Sequence, residues 1–289
     1  MPVRLIAMDM DGTLLLPSPS PEAPISRTVL DALHDAADAG IVLALATGRI
    51  PDDAGFFALD AGLSMRILAL NGACCLDEPM GDIVSQHFLP ADETLSLLQL
   101  LDASGVQYGI FSGHELIVSA PEVTEEELSL HWGSYLTRPG GRTRVHAGAR
   151  GAQACVRRGA NKLLVLSEDE KALSQLARAI ASRCPGIDVS SSWHNNLELN
   201  PRGVNKGTAL TELAARLGIP MSQVMAIGDQ SNDLPMLRVA HYSVAMGNST
   251  RPVLDNARYR TRSNAEDGVA CAIRALALGQ ETEGVFCIR

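Results

Sequence analysis

The sequence predicts an α/β fold in which a doubly wound parallel sheet forms the core and an α+β domain is inserted into it. Short apolar runs alternate with stretches of helical periodicity at both ends of the chain. Each apolar run ends in a glycine or a small polar residue, as strands of such a sheet do. Because this rhythm becomes irregular in the middle of the chain, we predict a core at 1–83 and 193–289, with the inserted domain at 84–192.

The first part of the core contains three predicted strands and one helix. Residues 3–8, 41–46 and 67–70 are short, largely apolar runs that are typical of buried parallel strands. Residues 26–39 have apolar side chains at helical spacing, between a serine that can cap the helix and a glycine that can end it.

The rest of the chain continues this alternation after the inserted region. That region contains one clear strand–helix unit, at 163–166 and 168–183. The second part of the core then adds a helix, two strands and a closing helix, at 205–217, 223–227, 242–245 and 266–278.

Composition excludes several classes of protein. The 289 residues carry a net charge of −9, which argues against nucleic-acid binding because phosphate backbones require a basic surface. No apolar run approaches the length that spans a membrane, and the N-terminus does not resemble a signal peptide. The six cysteines form no C-x-x-C pair, which favours reduced thiols in a cytoplasmic protein. We expect a monomer or a homodimer.

The first predicted strand ends in two carboxylates, Asp9 and Asp11, followed by Gly12 and Thr13. Two acids at this spacing lie on the same side of a strand, at the sheet edge where open parallel sheets carry their chemistry. They repel each other unless a cation or a shared proton relieves them. This indicates hard-cation chemistry, with one carboxylate as nucleophile and the other as acid and base. The alternative is an ordinary Asp-Gly turn after an edge strand.

Two later segments add complementary groups. Lys206 lies in the first turn of a predicted helix, where backbone N–H groups already favour an anion; the alternative is an exposed surface lysine. Asp229 and Asp233 follow the strand at 223–227, and Asp229 would complete an oxygen site for a divalent cation beside Asp9. The alternative for this second segment is a turn that caps the following helix.

With these motifs in this order, the chain resembles a haloacid dehalogenase (HAD) superfamily phosphatase of the Cof-like class IIB. The matching segments are residues 9–14 (DxDGTL), 47–49 (Thr-Gly-Arg), 71–73 (Asn-Gly-Ala), 204–207 (the lysine motif), 228–233 (GDxxND) and 245–248. The resemblance covers about 1–83 and 193–280 and is weak between them. A proline-rich segment at 17–24 departs from the family pattern.

The resemblance implies a Rossmann-like core with an inserted α+β cap domain that determines substrate specificity. It also implies a Mg²⁺-dependent phosphatase that hydrolyses small phosphorylated metabolites, of the sugar phosphate, nucleotide, flavin mononucleotide or pyridoxal phosphate type. Asp9 would attack phosphorus to give an aspartyl-phosphate, and Asp11 would protonate the leaving alcohol and then deprotonate water. Asp9, the Asp11 backbone carbonyl and Asp229 would hold Mg²⁺, with Asp233 or water completing the ligand set.

The same resemblance assigns the phosphoryl-binding groups. Thr47, Lys206 and Asn232, with the backbones of Met10 and Gly48, would bind the phosphoryl oxygens. A phosphomutase shares this apparatus and is the nearest enzymatic alternative. A catalytically idle HAD fold that serves as a binding module is an alternative of another class.

One stretch of the inserted domain has an unusual charge distribution. Between Leu128 and Ser167 there is no Asp or Glu. The basic residues there are Arg138, Arg142, Arg144, Arg150, Arg157, Arg158 and Lys162. They predict a basic face that binds a second phosphate or carboxylate of the substrate, or alternatively a solvated surface or an oligomer contact.

Overall fold

The computed structural model describes most of the chain. The described residues are 2–16, 25–120, 122–128, 132, 138–148, 150–192, 194–280 and 283–288. The proline-rich segment at 17–24 that the sequence sets apart lies outside them. Within the described ranges, no helix is both long enough and apolar enough to cross a membrane.

The larger of two sheets has nine strands in the described part of the chain. Across the sheet, numbered in chain order, they are β15 (Phe286–Cys287), β14 (Tyr259–Arg260), β13 (Tyr242–Ala245), β12 (Val224–Gly228), β1 (Leu5–Met8), β2 (Val42–Ala46), β3 (Arg66–Ala69), β4 (Cys74–Leu76) and β5 (Ile83–Gln86). Neighbouring strands from β14 to β3 pair in parallel. At the two edges the pairing is antiparallel, between β15 and β14, between β4 and β3, and between β5 and β4. The predicted core strands match this sheet to within a residue or two.

The smaller sheet has six strands among the same residues. In order they are β10 (Ile187–Ser190), β11 (Asn196–Pro201), β9 (Lys162–Leu166), β6 (Gln107–Ser112), β7 (Glu115–Val118) and β8 (Arg144–Ala147). The α-helices in chain order are α1 (Arg27–Asp38), α2 (Pro51–Asp60), α3 (Ala91–Ser104), α4 (Glu125–Glu127), α5 (Ala152–Gly159), α6 (Glu170–Arg183), α7 (Lys206–Arg216), α8 (Leu234–Val239), α9 (Arg251–Leu254) and α10 (Gly268–Ala272). Buried residues of α3, α5 and α6 pack against the smaller sheet.

Helices cover both faces of the larger sheet, and β1 shows this most clearly. Ile6 and Met8 lie in one apolar cluster with buried residues of α1 and α10. Leu5 and Ala7, which point the other way, lie in a second cluster with residues of α7 and α8. A strand that is buried on both faces is apolar throughout, as the sequence of β1 predicts. The doubly wound sheet is therefore confirmed.

The predicted domain borders at 83 and 192 each have a strand beside them. Strand β5 belongs to the larger sheet, and β11 belongs to the smaller sheet although it follows residue 193. The division of the chain into domains stays a prediction.

The predicted closing helix at 266–278 is interrupted near its start. Residues Asn264–Glu266 form a short helical turn, and Asp267 has a left-handed backbone with φ of 59°. A left-handed residue cannot continue a right-handed helix, so α10 begins only at Gly268 and leads into a wider turn at Ile273–Ala277.

Candidate active site

The predicted nucleophile, Asp9, lies at the carboxyl end of the central strand. Its backbone N–H donates to the carbonyl of Ile227 at 3.0 Å, which ties the end of β1 to β12. The chain then turns, and Gly12 adopts φ of 76°. A side chain at Gly12 would overlap the carboxylate of Asp229, so this turn requires glycine for both its torsion and its space.

Lys206 is buried beside Asp9 rather than exposed. It is the first residue of α7, whose cap is the Asn205 side chain. Its Nζ donates to Asp9 Oδ1 and to Asp233 Oδ1, both at 2.6 Å. The next residue, Gly207, has no side chain that would overlap the start of α8, which lets the two helices pack closely.

Three buried carboxylates form one cluster around this lysine. Oxygen atoms of Asp9, Asp229 and Asp233 lie within 4.8 Å of one another. Thr13 Oγ1 donates to Asp229 Oδ1 at 2.9 Å, and the backbone N–H of Asp229 donates to Asp233 Oδ2 at 2.9 Å. Burial and the charge of Asp233 raise the pKa of Asp9 well above its usual value and raise the pKa of Asp229 to about 7.

The donor chemistry of this cluster fits Mg²⁺. Carboxylate oxygens are the ligands that hard divalent cations prefer. One lysine cannot neutralise the three acids Asp9, Asp229 and Asp233, so the cluster retains negative charge that a cation would compensate.

The carboxylate of Asp11 points to a different partner. Its side chain is 58% exposed and accepts hydrogen bonds from Arg49 Nε at 2.8 Å and Arg49 Nη2 at 2.7 Å. Arg49 Nη1 also donates to Asp53 Oδ2 at 2.5 Å. Asp11 is therefore held by a two-bond contact with Arg49 at the open side of the cluster.

Thr47 and Gly48 follow β2 at the same edge of the sheet. Thr47 Oγ1 accepts the backbone N–H of Arg49 at 3.1 Å, so its hydroxyl proton remains available to a ligand. The carbonyl of Gly48 accepts from Lys162 Nζ at 2.8 Å.

Met10 and Asn232, the last two predicted phosphoryl-binding residues, differ in which of their groups could bind a ligand. The Met10 side chain is fully buried in the apolar core, which leaves only its backbone for a ligand. Asn232 Oδ1 is buried and has no hydrogen-bond partner in the described ranges of the chain.

The basic stretch of the inserted domain contains paired charges, and Lys162 does not belong to a basic face. Lys162 is buried against Glu198, in a strand at the centre of the smaller sheet. The acids that pair with these basic residues lie outside the stretch between Leu128 and Ser167. The charges of that stretch alone therefore do not reveal the pairs. The pairs are Lys162–Glu198, Arg138–Asp60, Arg142–Asp82 and Arg158–Glu115.

Sequence reasoning missed Glu198 and gave Arg49 no role. Glu198 lies in β11 between Leu197 and Leu199, and all three residues are buried. A charged residue in such a strand must have a partner, which is the signal that could have found it. The available signal for Arg49 is its place directly after the Thr-Gly pair at a strand end.

Comparison with known proteins identifies the family. A family model described as haloacid dehalogenase-like hydrolase matches residues 6–273. The chain belongs to this family. The resemblance drawn from the strand-end motifs and the predicted Rossmann-like α/β fold class are confirmed.

Named relatives cover nearly the whole chain. The 5-amino-6-(5-phospho-D-ribitylamino)uracil phosphatase YcsE of Bacillus subtilis (strain 168) is 28% identical over 273 residues, covering 94% of this chain and 95% of that protein. The pyridoxal phosphate phosphatase YbhA of Escherichia coli (strain K12) is 25% identical over 270 residues, covering 93% and 97%. The predicted enzyme class, a hydrolase of the phosphatase type, is confirmed.

A solved structure has the same fold. It is a haloacid dehalogenase-like hydrolase from B. subtilis and superposes with a TM-score of 0.80 at 25% identity. The match covers 95% of this chain and all of that one, 100%. The similarity therefore extends over both sheets.

Proposed function

We propose that this chain is a Mg²⁺-dependent phosphatase that hydrolyses phosphomonoesters of small metabolites through an aspartyl-phosphate on Asp9. The observation that carries the proposal is the buried cluster at the end of β1. There Asp9 contacts Lys206 and shares a site with Asp229 and Asp233. An ordinary surface turn has no reason to bury three acids and a lysine together.

The metal ligands in this proposal are the carboxylates of Asp9, Asp229 and Asp233, with the backbone carbonyl of Asp11. Their excess negative charge and their oxygen chemistry support a hard cation. When bound, Mg²⁺ would supply positive charge that lets an anionic phosphoryl group approach an anionic nucleophile.

In the proposed reaction, one aspartate forms and breaks the bonds to phosphorus and the other transfers the protons. A carboxylate oxygen of Asp9 attacks phosphorus, and the bond from phosphorus to the ester oxygen breaks as Asp11 gives that oxygen a proton. Asp11 then takes a proton from the water that attacks phosphorus and releases Asp9 with inorganic phosphate. In the structure both Asp11 oxygens accept from Arg49, so Asp11 must leave this contact before one of its oxygens can carry the transferred proton.

The phosphoryl oxygens require donors around them. We assign this role to Lys206, Thr47 and Asn232, with the backbone N–H groups of Met10 and Gly48. The available Thr47 proton and the contact of Lys206 with Asp9 support the assignment.

The substrate class follows from the chemistry of the relatives. The two named relatives act on a phosphorylated ribitylaminouracil and on pyridoxal phosphate, both small phosphomonoesters. We propose the same class here, including sugar phosphates, nucleotides and flavin mononucleotide. Free thiols at Cys74, Cys75, Cys155 and Cys184 support a cytoplasmic enzyme.

A hydrolysis screen with Mg²⁺ tests the proposal. Phosphate release is measured over a panel of phosphorylated metabolites, with Asp9→Asn as the control. Release that depends on Asp9 supports a phosphatase. Phosphoryl movement within a sugar phosphate without release would instead identify a phosphomutase, and binding without turnover would identify a binding module.

A further inference from the structure

A second buried lysine lies at the junction of the two sheets. Lys162 begins β9, and Glu198 lies in the neighbouring strand β11. Their side chains are 2% and 4% exposed, and Lys162 Nζ lies 2.8 Å from Glu198 Oε1. Burying such a pair is unfavourable unless the remaining donors and acceptors are satisfied, so its other contacts are informative.

Those other contacts reach turns at the carboxyl ends of strands in the larger sheet. Lys162 Nζ donates to the carbonyl of Gly48 at 2.8 Å. Glu198 Oε2 accepts from Asn71 Nδ2 at 2.8 Å, and the backbone N–H of Asn71 donates to the carbonyl of Thr47 at 2.8 Å. The ion pair of the smaller sheet therefore contacts the Thr47–Arg49 turn directly and through Asn71.

The space around Gly48 shows how closely the pair fits. A Cβ atom on Gly48 would lie 2.8 Å from Glu198 Oε1 and 3.3 Å from Lys162 Nζ. Gly48 is not among the residues with a left-handed backbone, so its torsion does not require glycine. A side chain at this position would have to displace the carboxylate of Glu198 from its contact with Lys162.

The peptide between Gly48 and Arg49 is fixed at both ends. Its carbonyl accepts from Lys162, and its N–H donates to Thr47 Oγ1 at 3.1 Å. The second bond uses a lone pair of the Thr47 hydroxyl and directs the hydroxyl proton elsewhere. The orientation of this peptide thus determines what Thr47 offers to a ligand.

The carboxyl group of Glu198 is ionised in this pair. Burial acts to raise the pKa of Glu198, but the charge of Lys162 and hydrogen bonds from Lys162 and Asn71 hold it below its usual value. The contact with Gly48 is therefore a charge-assisted hydrogen bond.

We infer that Lys162 and Glu198 are positioning residues, whose ion pair holds the Thr47–Arg49 turn in the geometry that binds the phosphoryl group. The inference rests on the proposed function. It assigns the inserted domain a part in phosphoryl binding itself, in addition to any contact with the rest of the substrate.

The first test neutralises the pair without leaving one charge unpaired. The variant Lys162→Met/Glu198→Gln is assayed with p-nitrophenyl phosphate and with inorganic phosphate as a competitive inhibitor. We expect KM and the inhibition constant of phosphate to rise at least about tenfold, the effect of losing one charge-assisted contact. Mg²⁺ affinity, measured by calorimetry, should stay unchanged because the pair lies outside the acid cluster.

The matched control is the exposed ion pair Arg216–Asp77 of the core, joined at 2.9 Å. Arg216→Met/Asp77→Asn should leave both constants unchanged. Wild-type constants in a folded Lys162→Met/Glu198→Gln variant would overturn the inference. A wild-type enzyme that hydrolyses no phosphoester would instead contradict the proposed function.

A second test keeps both charges and serves if the first variant does not fold. Gly48→Ala places a methyl group against Glu198 and should raise the inhibition constant of phosphate. Adding Glu198→Asp shortens the opposing carboxylate and should recover at least part of the affinity. Equal constants for Gly48→Ala with and without Glu198→Asp would contradict the inference.

Discussion

The two buried lysines of this protein differ in the balance of charge around them. Lys206, the first residue of α7, contacts two carboxylates, and a third lies in the same cluster. Lys162 at the junction of the sheets contacts one carboxylate and one backbone carbonyl. Both lysines are almost completely buried, so burial alone does not distinguish the two sites.

The pKa shifts follow this balance. Burial and neighbouring acids raise the pKa of Asp9 and bring that of Asp229 to about 7, whereas Lys162 holds the pKa of Glu198 low. A balanced cluster satisfies its own charges and can serve as a rigid support. An unbalanced one has excess negative charge that a cation or a proton can relieve, and shifted pKa values of this kind are common at sites of chemistry.

The largest expected difference concerns turnover. Asp9→Asn should lower kcat by roughly 10⁴-fold or more, because an amide cannot attack phosphorus. Glu198→Gln should retain measurable turnover. Phosphate release by purified, folded variants is the measurement. Near wild-type release by Asp9→Asn would remove the covalent mechanism and with it the contrast between the clusters.

Metal removal should affect only the unbalanced cluster. Chelation should lower phosphate release by at least about 100-fold, the usual scale for losing preorganised positive charge at a phosphoryl site. Added Mg²⁺ should restore the activity, and Asp229→Asn should need more Mg²⁺ for the same rate. Full activity after exhaustive dialysis against chelator would show that the cluster has no need of a metal.

The free energy of unfolding should respond differently to charge removal at the two sites. Glu198→Gln leaves Lys162 without its counter-charge and should lower the free energy of unfolding by about 3–5 kcal/mol. Asp9→Asn removes one of three crowded acids and should keep or raise the free energy of unfolding of the metal-free protein at pH 8. Urea unfolding of both variants without metal gives the comparison. A similar loss in both would mean that the clusters are equivalent.

Much of the unbalanced cluster could be predicted from the sequence. Buried parallel strands are recognisable as short apolar runs, and their carboxyl ends lie at one edge of the sheet. Asp9, Thr47 and Asp229 each follow such a run, so their proximity is a consequence of strand order. The burial of Lys206 could not be predicted, because it depends on how closely α7 packs on α8.

The balanced cluster could not be predicted, for a physical reason. Glu198 and Lys162 are 36 residues apart, and their shared contact with Gly48 depends on how the smaller sheet docks on the larger one. No local pattern carries that information. The same limit explains why the sequence alone predicts that Lys162 belongs to a basic face.

A smaller effect is expected in the pH dependence of metal binding. Asp229, with a pKa near 7 in the metal-free fold, must lose its proton before it can bind a cation. Below pH 7 the Mg²⁺ affinity should therefore fall at least about tenfold per pH unit, because Asp9, a second proposed ligand with a raised pKa, must also lose its proton. Calorimetry at pH 6 and pH 8 measures this, and Asp229→Asn should make the dependence less steep. Equal wild-type affinity at both pH values would contradict the charge argument.

The smallest effect on activity is expected from a change at Arg142, whose charge is exposed to solvent and lies outside both buried clusters. Its guanidinium contacts Asp82 at 3.3 Å, and that carboxylate is 97% exposed, so the pair contributes only about 0–1 kcal/mol. The backbone N–H of Arg142 donates to Asp52 at 2.5 Å, and this bond survives removal of the side chain.

Arg142→Ala should therefore change kcat/KM by less than about threefold, for p-nitrophenyl phosphate and for a multiply charged phosphoester alike. A selective tenfold rise in KM for the multiply charged ester would show that this exposed charge contacts the substrate. In that case the balance of charge around a buried lysine would not be enough to locate the functional residues of this protein. The exposed Arg142 would determine substrate specificity, which neither buried lysine does.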